Sequence, residues 1–186
     1  MLNEKQFRDR ATRELRTIGT QLQSVITDRE LYRQLEKEVA KAKSELAEDS
    51  GAFLEFIRGA YADAATMRLR RLLAPEASLS LRRTVVQLAE YPDLLHHKVN
   101  AREIAQDASA LDTMASHLKV QVEPHFMSRE RTSGALAPTL RELDRALDLL
   151  TDTLKKYYWI LCEGYVELDP KLAGDPLGVF RKAWLK

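Results

Sequence analysis

The sequence predicts an all-α protein: an up-and-down bundle of four to five main helices with an irregular C-terminal arm. Three observations carry that reading. Apolar residues recur at three- and four-residue steps along most of the chain. Charged residues make up 31% of 186 residues against only 7 Gly and 6 Pro, a balance that suits long helices better than sheets. Capping-type start signals precede several of the apolar stripes. The length suits a single domain with a real core. We divide it into N-terminal helices over 1–48, a core over 49–164 and an arm over 165–186.

The first helix is expected from Asn3 to about Ser24, with Phe7, Leu15, Ile18 and Leu22 as its apolar stripe and Gly19 inside it. Thr27 with Glu30 has the form of a capping box and predicts a second start, followed by Leu31, Leu35, Val39 and Leu46. The interleaved lysines and glutamates from Glu36 to Glu45 read as a solvated face.

A central helix follows from about Gly51 to Leu73, with Ser50 able to cap it. Phe53, Phe56, Ile57, Ala60, Ala64 and Met67 mark one face, read as the buried one, and the next step lands on Arg71. An arginine closing an apolar stripe must find an anion or reach water. Asp63 and Arg70, two turns apart, can form a surface or interhelix ion pair, or hold an arginine for an anionic ligand. Pro75 ends the helix. Ser78 or Ser80 caps a short helix with Leu81, Val85, Val86 and Leu88, and Pro92 ends it or starts a new turn.

His96 and His97 are adjacent, which on a helix turns them about 100° apart, so a shared metal is not expected. Asn100 and Glu103 start the next helix, with Ile104, Ala108, Leu111, Ala115, Leu118 and Val122 on one face. The same step lands on His125, and Pro124 just before it predicts a kink or an end near Glu123. A histidine on such a stripe is more often a packed residue than a catalyst. His117 lies off the stripe and has no assigned role. Residues 127–137 read as a polar loop. Thr139 and Glu142 form a capping box for the last long helix. Its stripe runs Leu143, Leu147, Leu150, Leu154, Tyr158 and Leu161, ending near Gly164. Phe180 and Trp184 would pin the arm to the bundle or to a partner.

Composition limits the function. A formal net charge of +1 gives no global field for a nucleic acid, leaving local patches such as Arg68, Arg70 and Arg71. The single Cys162 cannot form an internal disulfide, which fits a reducing compartment. The start, MLNEKQFRDR, lacks the apolar core of a signal peptide, and no apolar run nears the roughly 20 residues that span a bilayer. A cytoplasmic protein without a membrane partner is expected. There is no phosphate-cradling glycine loop, zinc spacing or serine-centred elbow, so neither cofactor nor metal is expected.

From about Leu31 onward the chain resembles the HEPN superfamily, in the branch related to the abortive-infection protein AbiU. The resemblance is carried by Phe53, Phe56, Asp63, Arg71-Leu72 and Ser80-Leu81, by the tyrosine pair Tyr157-Tyr158, and by Phe180 and Trp184. It implies a helical bundle that pairs as a homodimer and, in many relatives, a metal-independent ribonuclease of toxin or phage-defence systems. That chemistry uses an arginine followed four to six residues later by a histidine. The imidazole moves protons at the 2′-hydroxyl and the leaving oxygen, and the guanidinium neutralises the phosphate. Carried onto this sequence, His125 is the acid/base candidate and Lys119 stands where the arginine belongs, with Arg71 and Arg68 as further phosphate contacts. Pro124 replaces a frequent alanine, and Ala74 replaces a frequent acidic residue. The resulting expectation is a degenerate, non-catalytic module that binds RNA or a protein partner such as an antitoxin as a dimer. The alternative is an endoribonuclease using His125 with Lys119.

Overall fold

A computed structural model describes residues 4–41, 47–91, 95, 99–127 and 138–178, with side chains placed except over 47–50 and 119–127. The described residues form five helices and no strand: α1 Glu4–Lys41, α2 Ala47–Leu73, α3 Leu81–Ala89, α4 Ala101–Met127 and α5 Leu140–Cys162. The all-α bundle is as expected from the sequence.

The backbone of the bundle is the antiparallel pair α1 and α5. Arg8 donates to the Leu161 carbonyl at one end, and Arg29 and Arg33 reach Asp144 at the other. Between these ends the buried leucines of α5, Leu143, Leu147, Leu150 and Leu154, meet Leu15, Ile18, Leu22 and Val25 of α1 within one continuous core. Gly19 suits this close packing: a Cβ there would lie 3.3 Å from a Val166 methyl, which would have to shift slightly, and 3.5 Å from Leu154, an ordinary contact. A helix of 38 residues is about 57 Å long, so α1 runs past the first turn of α5. There it pairs with the N-terminal half of α2: Tyr32 stacks on Tyr61 at 5.1 Å, and Arg58 reaches the Tyr32 hydroxyl and Glu36.

The short α3 is held by Ser80, which caps the Arg83 amide, and by Thr84, whose hydroxyl lies 3.1 Å from Glu14 of α1. Arg82 grips Asp112 of α4 through two bonds, at 3.0 and 3.1 Å. α4 runs antiparallel to α5, with Asp107 facing Tyr157 and His117 bonded to Glu142 at 3.1 Å. The capping box of Thr139 and Glu142 opens α5 as its sequence indicates.

Three sequence expectations need correction. No helix starts at Thr27. α1 is continuous, and the Thr27 hydroxyl donates to the Gln23 carbonyl one turn back, as an interior threonine does. Of the kink or end expected near Glu123, the end does not occur: α4 passes through Pro124 to Met127. Proline removes one amide, but its fixed φ is helical, and near a helix end little of the hydrogen-bond ladder lies beyond it. In α5 the fully buried tyrosine is Tyr157, whereas Tyr158 is half-buried and accepts from Arg16 at 3.2 Å.

After α5 the chain is irregular to Leu177, as expected for an arm, and lies along α1. Gln23 donates to the Asp169 carbonyl, the Lys171 amide donates to Thr27, and Leu168 is buried. Phe180, Trp184, His96, His97, Pro92 and the loop over 128–137 lie outside the described residues.

Candidate functional site

α2 carries the largest correction. Its core-facing residues are Ala62, Ala65, Thr66, Leu69, Leu72 and Leu73, all buried. Thr66 satisfies its own hydroxyl by donating to the Ala62 carbonyl at 2.6 Å. The stripe expected inside points the other way. Phe56 is 71% exposed, Met67 62% and Phe53 37%, with Ala60, Ala64 and Arg71 exposed between and beyond them. At 100° per residue the two stripes lie on opposite sides of the helix. α2 therefore has two apolar faces, and periodicity cannot say which one the bundle takes. Position among neighbours decides it: the leucine-rich face meets α1, α4 and α5, and the Phe–Ala–Met face meets none of them.

Arg71 ends the outer stripe and, among the described residues, meets no acidic partner. Arg68, beside it, is engaged with Asp28 and with Ser24 at 3.2 Å, both on α1. The two arginines share an exposed side of the molecule, but Arg68 is already occupied by a carboxylate. Lys119 and His125 fall in the last turns of α4, and their side chains lie outside the described residues. The α4 backbone is informative even so. Residues six apart on an unbroken helix are separated by about 9 Å along the axis and about 120° around it.

Two other regions hold polar groups. A groove of about 280 Å³ between α1 and the arm is lined by Arg16, Thr20, Gln23, Tyr158, Tyr165 and Glu167, open to solvent. The Asp107 carboxylate accepts from Lys156 at 2.7 Å and from the Tyr157 hydroxyl at 2.9 Å. This cluster ties α4 to α5. The sequence reading missed it because counting steps along α5 selects Tyr158. The available signal was Asp107 beside the apolar stripe of α4.

Burial first, then the bond to Asp107, raises the Tyr157 phenol well above its ordinary value. Burial, with Asp144 nearby, pushes Tyr61 up to about 12. Both phenols stay protonated in the fold at pH values where an unfolded chain, with phenols near pH 10, releases the protons. The unfolded state then binds fewer protons, so stability falls as pH rises. We expect full stability below about pH 10 and a progressive loss from there towards about 12. Denaturant midpoints measured across that range, alongside tyrosinate absorbance, check this. Ionisation of both tyrosines without loss of helix would contradict it.

Among the described residues no group of His, Cys, Asp and Glu is placed to hold a metal ion, and no helix is long and apolar enough to cross a membrane. No protein-family model, curated protein or solved structure matches the chain.

Proposed function

We propose that this chain is a non-catalytic, HEPN-like helical module of the phage-defence or toxin–antitoxin type, which acts by binding a protein. The observation that carries the reading is the second apolar face of α2. Phe53, Phe56 and Met67 remain exposed along a helix whose opposite face already fills the core. Contiguous apolar surface of this kind marks interaction sites more often than chemistry.

The test uses total RNA with chelator present, comparing the wild type with His125→Ala. We expect no cleavage by either. Cleavage lost in His125→Ala would overturn the proposal in favour of a ribonuclease using His125 with Lys119. Equal cleavage by both would overturn it in favour of a different catalytic group. A salt titration of RNA binding complements this. A steep fall with salt would show phosphate contacts, with Arg71 and Arg68 as the first candidates, and would count against a protein partner. We expect a weak and flat response.

A further inference from the structure

We propose that the groove between α1 and the C-terminal arm binds a small zwitterion: a carboxylate and a protonated amine joined by a short methylene chain. The inference goes beyond the protein-binding reading and shares no residue with the outer face of α2.

The arm advances beside α1 in the same direction. Val166 lies against Gly19, the Asp169 carbonyl accepts from Gln23, and the Lys171 amide donates to Thr27. Exposure alternates along it: Val166 is half-buried and Leu168 buried, while Tyr165, Glu167 and Asp169 are exposed. That is the two-residue period of an extended segment, so Tyr165 and Glu167 point to the same side. The facing wall is the rim of α1, where Arg16, Thr20 and Gln23 follow one another at steps of four and three. Gly19 carries no side chain and leaves the floor between the walls low.

Opposite charges stand apart in this groove. Arg16 donates to the Tyr158 hydroxyl at 3.2 Å and, among the described residues, meets no acidic side chain. Glu167 lines the same groove and, among the described residues, meets no basic one. With Val166 level with Gly19, Glu167 falls level with Thr20, one turn past Arg16, so the two poles are about 6 Å apart along the groove. The Arg16 side chain leans towards the start of α1, which widens the gap. A ligand with one charge of each sign satisfies both poles at once. A simple anion satisfies Arg16 and meets Glu167 as a like charge.

The rest of the lining fits the same molecule. The Tyr158 hydroxyl accepts from Arg16 and keeps its own proton to donate to a carboxylate. Between the poles lie Val166 and the ring of Tyr165, which is 88% exposed and offers a face for methylene groups to cover. A volume of about 280 Å³ holds such a molecule. Two sources share this chemistry, a free ω-amino acid and the C-terminal lysine of a polypeptide.

The probe is 6-aminohexanoate, whose five methylene groups set its charges about 7 Å apart. Exposed ion pairs contribute little each, so the Kd should be on the order of 1 mM. Titration of the full chain to about 20 mM, followed by the backbone amide shifts of Thr20 and Val166, reads this. Hexanoate, which lacks the amine, and hexylamine, which lacks the carboxylate, should each bind at least about fivefold more weakly. Arg16→Gln and Glu167→Gln should weaken 6-aminohexanoate by a similar factor with helix content unchanged, because both side chains are exposed. Nα-acetyl-lysine separates the two sources. Affinity equal to that of 6-aminohexanoate assigns the site to a C-terminal lysine, and a large loss assigns it to a free ω-amino acid.

The absence of any saturable shift over this range overturns the proposal. So does hexanoate or inorganic phosphate binding as tightly as the zwitterion and indifferently to Glu167→Gln, which would leave Arg16 as a general anion contact. Equal affinity of 6-aminohexanoate for the wild type and both single variants would place its site elsewhere and overturns the proposal as well.

Discussion

Replacing Tyr157 with alanine is expected to destabilise the fold by about 3–5 kcal/mol, enough to leave a domain of this size marginal or unfolded. Among the described residues Tyr157 is the largest side chain with no exposed surface, and it lies in the main core. Truncating it removes the transfer free energy of the ring. It also leaves a cavity between α4 and α5 that surrounding leucines, already packed in their rotamers, fill only in part. The bond to Asp107 is lost as well. Tyr157→Phe separates the two contributions. It keeps the ring and removes only the hydroxyl, leaving Asp107 its bond to Lys156. Its expected cost is about 1–2 kcal/mol. Urea unfolding with an unchanged slope is the measurement. A Phe variant as damaged as the Ala variant would show that the bond, not the ring, holds α4 to α5.

The second large effect compares two residues on opposite faces of one helix. Leu69→Ala should cost about 2–5 kcal/mol, because Leu69 has no exposed surface and belongs to the core. Phe56→Ala, about three and a half turns earlier and 71% exposed, should change the stability of the monomer by less than about 0.5 kcal/mol. Measured at a protein concentration low enough for any pair to dissociate, the contrast reports which way α2 faces. Equal costs at both positions would mean that α2 is turned about its axis relative to the orientation described here.

Much of the fold is legible in the sequence because its signals are local. The Thr139–Glu142 box, the Ser80 cap and the stripes of α4 and α5 depend on residues within a turn or two of each other. The Thr27 start failed for a related reason: a threonine followed by a glutamate at the third position can also sit inside a helix, bonding backwards to Gln23. The orientation of α2 was not legible at all. Phe53 and Phe56 are its largest wholly apolar side chains, yet the bundle takes the face with Leu69, Leu72 and Leu73. Arg71 lies on the expected stripe, and that stripe faces away from the bundle.

By itself the sequence determines that the chain is helical, the caps of α3 and α5 and the apolar stripes of α4 and α5, because backbone hydrogen bonding and caps are settled between near neighbours. The tertiary structure alone decided which stripe is covered and that Tyr157, not Tyr158, fills the core, with Asp107 as its partner. These choices depend on what three other helices present across the bundle, and burial is a property of their joint arrangement, not of any one segment.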